Sequence, residues 1–266
     1  MNINKQLSFP TAEECDAYFG DLLPIERTHR QTAPQALMAA DVRESGIDTG
    51  NDAEVNKDVP VIIAFADGVS EVNREAVMLS VSFAEAVAAQ KGNINLDAVK
   101  WLEYYAEAFR YGGWLTAGGH EYGEYTTSDT SATMDSVVLE LISAVAGPNA
   151  QTVITLLNLV LDKLQKNESM MKLFERNSKK GSTSTFRIMP CLESTTGIPV
   201  TYLLSMHCEY TSDSGGALFW KWSVSKLKIK RLAKGVNFDK YTHERNKQRI
   251  LDYLGNDADE FFDGLK

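Results

Sequence analysis

The stretch "TYLLSMHCEY" (Thr201–Tyr210) decides how the chain folds. Read as a strand, it places Tyr202, Leu204, Met206, Cys208 and Tyr210 on one face. Thr201, Leu203, Ser205, His207 and Glu209 take the other, because successive side chains alternate. The even-numbered row is apolar. The same alternation separates His207 from Cys208, and a thiolate nucleophile needs its base within hydrogen-bond reach. The adjacent pair is therefore no catalytic dyad, and Cys208 reads as a buried core cysteine.

The flanking segments have the same character. "TSTFRIMPCLES" precedes it and "ALFWKWSVSKLKIKRLA" follows, both rich in β-branched and aromatic residues and separated from it by "STTG" and "SDSGG". These features predict an antiparallel meander. Pro190, just before Cys191, suggests an edge or a bulge. In the last strand the apolar phase slips: Leu218, Trp220, Trp222 and Val224 are even-numbered, Leu227 and Ile229 odd. One extra residue near Ser225–Lys226 accounts for the slip, so a β-bulge or break is expected there.

Upstream the period changes to that of helices. "TAEECDAYFGDLL" reads as a short helix capped by Thr11, with Glu13 and Glu14 in its first turn. The polar stretch "RESGIDTGNDAEVNKD" reads as a linker, and "VPVIIAFADG" as a short apolar strand or buried segment. A helix then starts at Ser70, with Val72, Ala76, Leu79, Phe83, Ala86 and Val87 as its stripe and Gly92 as its stop. A second carries Val99, Leu102, Tyr105, Ala106 and Phe109 up to Gly112–Gly113. After a glycine-rich loop, "MDSVVLELISAVAG" and "NAQTVITLLNLVLDKLQ" form a helical hairpin broken at Gly147–Pro148, the most apolar helices in the chain, as suits helices laid on a sheet. "YTHERNKQRILDYLG" is a charged terminal helix. Helices first and strands afterwards indicate an α+β fold. The expected organisation is an extension or linker over 1–58, the main domain over 59–239, and a C-terminal helix with an acidic tail over 240–266.

Of 266 residues, 27 are basic and 36 acidic, a net charge of −9, which argues against general nucleic-acid binding. The three cysteines, Cys15, Cys191 and Cys208, show no metal or redox spacing, and a single Cys191–Cys208 bridge is the disulfide left open. The N-terminus lacks an apolar core, so no conventional secretory signal is expected. No unbroken apolar run reaches the length of about 18 residues that marks a membrane span.

Candidate sites are few. "GGHEYGEY" brings together His120, Glu121 and Glu124, but Glu124 stands where H-E-x-x-H requires its second histidine. A metal-assisted hydrolase built on these residues is one alternative; a polar connector is the other. There is no G-x-S-x-G, the four histidines are scattered, and no nucleophile–base–orienter set emerges, so no catalytic residue and no metal are assigned. Lys226, Lys228 and Lys230, interleaved with Trp220 and Trp222, suit an anionic membrane surface. They also suit a charged strand that resists edge-to-edge pairing.

The order, length and apolar pattern of "VVLELISAVAG", "TVITLLNLVLDKLQ", "TSTFRIMPCLES", "TGIPVTYLLSMHC" and "ALFWKWSVSKLKIKRL" resemble the Cyt-type cytolytic δ-endotoxins and the related Erwinia virulence factor family. The resemblance implies a three-layer α/β/α sandwich, with helical hairpins covering both faces of an antiparallel sheet. It implies a virulence factor or toxin released to act on host, insect, cells, with lipid or the host membrane as partner; oligomers on the membrane are compatible with it. It also implies a fatty acid held on an interior cysteine, which marks Cys208, or Cys191 on the preceding strand, as a lipid-attachment candidate. No other cofactor is implied. A pore-forming cytolysin is the nearest rival function. The hairpins would reach lipid by swinging off the sheet.

Overall fold

A computed structural model describes residues 8–23, 61–94, 96–116, 123–127, 134–166, 183–212 and 224–255. The helices are α1 (Ala12–Asp21), α2 (Glu71–Lys91), α3 (Ala98–Tyr111), α4 (Met134–Ala146), α5 (Ala150–Lys166) and α6 (Lys240–Leu254). The strands are β1 (Val61–Phe65), β2 (Trp114–Thr116), β3 (Gly123–Thr127), β4 (Thr183–Glu193), β5 (Pro199–Ser212) and β6 (Val224–Phe238).

The strands form one sheet in the order β1-β4-β5-β6-β2, with β3 also paired to β6. The meander β4-β5-β6 is antiparallel, as its turn-separated strands predict. Its slip is real: β5 and β6 keep one register as far as Thr211 opposite Lys226, then Ser212 faces Val224, which leaves Ser225 as the extra residue. Three expectations are corrected. The sheet is mixed, because β1 lies parallel to β4, from Val61 opposite Arg187 to Phe65 opposite Cys191. The glycine-rich stretch after α3 contributes β2 and β3, both on the far side of β6. Pro190 marks no edge, since β4 sits between β1 and β5. Proline has no N–H to give, so the β4–β5 ladder passes from Ile188–Leu204 straight to Cys191–Thr201. The Thr201 hydroxyl donates to the Pro190 carbonyl instead, at 3.1 Å.

Helices cover both faces of the sheet, giving an α+β sandwich of three layers. Val61, Ile63, Phe65, Met189, Cys191, Leu203 and Val236 pack against α1, α2, α3 and α6. Ala64, Ile188, Leu192, Tyr202, Leu204 and Met206 pack against α4 and α5. β5 is thus buried on both faces along Thr201–Met206. Between α4 and α5 the chain turns through a 3-10 segment, Gly147–Asn149, where Gly147 has φ +52°. Such a φ favours glycine.

The boundary expected at 58/59 lies outside the described residues, and both terminal helices pack on the main body. Thr11 closes a capping box on Glu14, as its position predicts, and α1 buries Cys15 and Tyr18 in the same core as Ile250 and Leu254 of α6. Within the predicted stripes, Val72 and Val99 instead face solvent, at the first turns of α2 and α3.

Candidate functional site

The two helical layers are attached to the sheet in chemically different ways. On the α2–α3 side, Arg187 of β4 is fully buried and forms an ion pair with Glu85 of α2. Its guanidinium lies 4.7 Å from the ring centre of Trp101 and 4.9 Å from that of Tyr105, both on α3. Burial pushes the Glu85 carboxyl above the ordinary carboxylate range, outweighing the pull of Arg187. Tyr105 Oη donates to Met189 Sδ at 3.7 Å. At the end of β4, Glu193 accepts from Ser70 N (2.8 Å), Ser70 Oγ (2.7 Å) and Asn73 Nδ2 (2.6 Å), so it caps α2 from outside the helix. These donors hold its carboxyl below the usual range.

On the other side, the contact between hairpin and sheet is hydrocarbon. Val137, Val138, Leu141, Ile142, Val153, Leu157, Val160 and Leu161 meet Ile188, Leu192, Leu204 and Met206, all buried. Tyr202 on β5 makes a polar tie. Its hydroxyl donates to the Ala146 carbonyl at the end of α4 (3.2 Å) and accepts from Asn149 Nδ2 in the turn (2.9 Å). From Val137 to Asp162, the charged residues are Glu140 and Asp162. The outer face of α5 shows Gln151, Thr152, Thr155, Asn158 and Leu159 to solvent. By length and composition alone, this 26-residue helical stretch is apolar enough to cross a membrane. A count of unbroken apolar runs misses that, because serine, threonine and asparagine interrupt them.

The lipid-attachment candidates separate. Cys191 is fully buried on the α2–α3 side; its Sγ lies 3.0 Å from Thr201 Oγ1 and 3.5 Å from the Met189 carbonyl. Burial pushes its thiol up to about 12, against the opposing bond to Thr201. It is a free thiol. Cys208 stands on β5 between Ser184 and Ile229, in the opposite phase of the ladder from Thr201, which is the partner of Cys191. A Cys191–Cys208 bridge is ruled out by this register.

Lys226, Lys228 and Lys230 lie on β6, which runs inside the sheet between β5 and β3, so the edge-strand explanation fails. Lys228 stands opposite Glu209, and Lys230 opposite His207 on one side and Glu124 on the other. Opposite charges facing across a ladder stabilise it. Glu124 thus has a place in a strand; His120, Glu121, Trp220 and Trp222 lie outside the described residues. Of the cysteine and lysine candidates, Cys191 lies on β4, Cys208 on β5 and Lys226, Lys228 and Lys230 on β6. What the sequence reading overlooked was the buried Arg187–Glu85 pair and the Tyr202 tie.

No protein-family model matches the chain, and no curated protein matches it in sequence. Among solved structures it is similar to a delta-endotoxin, with a TM-score of 0.39 and 10% identity over 68% of this chain and 81% of that one. It is also similar to the Evf virulence factor, with a TM-score of 0.38 and 10% identity over 90% of this chain and 88% of the other. These are the two groups that the sequence resembles. Likeness at this level does not carry an activity from one protein to another.

Proposed function

We propose that the protein binds lipid and acts at membranes through the α4–α5 hairpin. The observation that carries this reading is the asymmetry of the two layers. Taking an apolar side chain from the sheet into water costs on the order of 2 kcal/mol. Taking it from the sheet into a bilayer restores that gain. For the apolar side chains of the hairpin, the exchange of protein for lipid therefore has little net cost, and the Tyr202 bonds are a polar cost added to it. The α2–α3 layer cannot do the same, because separating Arg187 from Glu85 leaves buried charges, at roughly 3–5 kcal/mol.

Length sets the depth. The 13 residues of α4 and 17 of α5 give about 20 and 25 Å of helix, short of the ~30 Å hydrocarbon core. Together with a polar outer face, that supports an interfacial hairpin over two full spans. A fatty acid on a cysteine would add to this grip, and Cys208 is its better site: acyl transfer needs a thiolate, which Cys191 does not supply near neutral pH. The sequence resemblance supports a host cell as the target and a virulence factor or toxin as the role.

The test uses two labelled variants of the full chain in a Cys208→Ala background, Leu159→Cys on the hairpin and Val99→Cys on α3, each labelled with a polarity-sensitive dye under native conditions, where Cys15 and Cys191 are buried. With phosphatidylcholine vesicles, the hairpin label is expected to shift to the blue and the α3 label to stay unchanged. Equal shifts, or no binding to vesicles, would overturn the proposal. Release of a trapped dye would favour the pore-forming alternative.

A further inference from the structure

The two ends of the described chain meet on the α2–α3 layer, and α6 holds α1 there. Arg245 of α6 donates to the Pro10 carbonyl (3.0 Å) and to Cys15 Sγ (3.3 Å). Asn246 donates to Cys15 Sγ (3.2 Å) and to the Tyr111 carbonyl (2.8 Å). Arg249 pairs with Asp16. In turn, α1 stacks Tyr18 on Tyr111, with ring centres 3.7 Å apart, and Phe19 on Phe83 at 5.4 Å. The seat of α1 is thus shared: α6 holds it through Arg245, Asn246 and Arg249, and α2 and α3 hold it through the stacked rings and the Glu14–Arg110 pair, so loosening α6 removes part of the seat of α1.

His243 stands at that seat. It is 2% exposed, and its Nδ1 lies 2.8 Å from the Gly112 carbonyl and 3.4 Å from Ser80 Oγ of α2. A carbonyl only accepts, so Nδ1 carries the proton in the neutral ring. The backbone there is tight. Gly113 has φ +94°, and a Cβ on it would lie 2.9 Å from the backbone nitrogen of His243 and from the Asp239 carbonyl. Asp239 N donates to the Gly113 carbonyl at 2.9 Å. The ring also sits in the first turns of α6, where the helix dipole disfavours a cation.

We propose that His243 is the acid-sensitive pin of a clamp made by α1 and α6, so that acidification loosens both terminal helices while the sheet and the α2–α3 layer stay folded. A second proton on the ring would place a cation among Ser80, Gly112 and the Phe238 ring, which lies 5.4 Å away. The charged groups of the surrounding elements do not compensate. On α6, Glu244 favours the imidazolium and Lys247 opposes it. Asp239 is engaged with Thr242, and Glu75 of α2 with Lys247. Arg110 of α3 donates to the Ser8 carbonyl. Burial is the largest influence and holds the imidazole below its ordinary value of 6.5. The undocked ring therefore takes up its proton first. Docking is at full strength above that value and weakens as the pH falls from it toward the docked value. The Glu85 carboxyl runs the opposite way: its raised value means that acid does not loosen the α2–sheet contact through it.

Amide hydrogen exchange on the full chain tests this, at about pH 7.5 and about pH 5.5 and corrected for the intrinsic pH dependence of exchange; this window lies above the ordinary carboxylate range. Amides of α1 and α6 are expected to lose protection together, by up to about tenfold for each pH unit below 6.5, with α2, α3 and the strands unchanged. His243→Asn keeps a donor for Gly112 without the titration, and should abolish the loss. A flat wild type, a loss shared by every layer, or a loss persisting in the variant would each overturn the proposal. If the variant does not fold, the NMR titration of His243 in the wild type decides: a midpoint below the ordinary value supports the pin, and one at or above it refutes it.

Discussion

Tyr202→Phe removes one oxygen from the contact between β5 and the turn of the hairpin and leaves the ring in place. The hydroxyl joins β5 to the end of α4 and to the turn, through Ala146 and Asn149. Each bond contributes about 0.5–1.5 kcal/mol net, and an unpartnered buried group costs about 1–3 kcal/mol. Asn149 is only part-buried and turns toward water at small cost, so the loss centres on the Ala146 carbonyl. The expected destabilisation is about 1–3 kcal/mol, or some 2–4 °C in Tm per kcal/mol for a chain of this size. If the hydroxyl also sets the threshold for hairpin release, the same free energy appears at the membrane. Since about 1.4 kcal/mol is a factor of ten, the vesicle-bound fraction at limiting lipid should rise by roughly one order of magnitude. Urea titration gives the first quantity and vesicle co-sedimentation the second. A variant that loses stability yet binds vesicles no better than wild type would show that the hairpin stays on the sheet during binding. A variant that changes in neither respect would show that the tie contributes nothing.

Three further outcomes follow from the geometry. Arg187→Met alone should destabilise by roughly 3–5 kcal/mol, because it leaves Glu85 buried without its cation, and Glu85→Leu in the same chain should recover most of the loss; additive losses in denaturant titration would refute the coupling. Cys191, with its thiol pushed up to about 12, should resist iodoacetamide at neutral pH in the native protein and react fully in denaturant, as read by intact mass. Gly113→Ala forces a side chain into backbone at φ +94° and should lower the thermal midpoint by more than a typical surface change, while Gly255→Ala, which meets nothing within 4 Å, serves as the strained but uncrowded control.

Much of the fold was legible because it follows from local periodicity. Alternation in β4 and β5, the 3.6-residue stripes of α2 to α5, the Thr11 cap and the slip at Ser225 are each properties of a few neighbouring residues. The position of β1 was not legible: a short apolar run pairs in parallel or antiparallel alike, and only the long connection to β4, through α2, α3, β2, β3, α4 and α5, decides. The short strands β2 and β3 were hidden by glycines that read as loop, and they exist because β6 offers them an edge. Part of the site left a trace that went unread. Glu85 is the lone charge in the stretch Ala76–Gln90 of α2 and Arg187 a lone charge among apolar neighbours in a strand, a combination that implies partnership, since a buried charge is sustained only when paired.

What the sequence determined by itself was the layer chemistry: a strand with one apolar row, and an apolar helical hairpin whose charges lie mainly near its ends. What only the tertiary structure decided was which face each element occupies. Cys191 falls beneath α2 and α3, Tyr202 reaches the hairpin turn, α1 meets α6 through Arg245, Asn246 and Arg249, and His243 seats α6 on Gly112, because these contacts join residues far apart in the chain. Periodicity reports that a side chain is buried; sheet order and register determine against what.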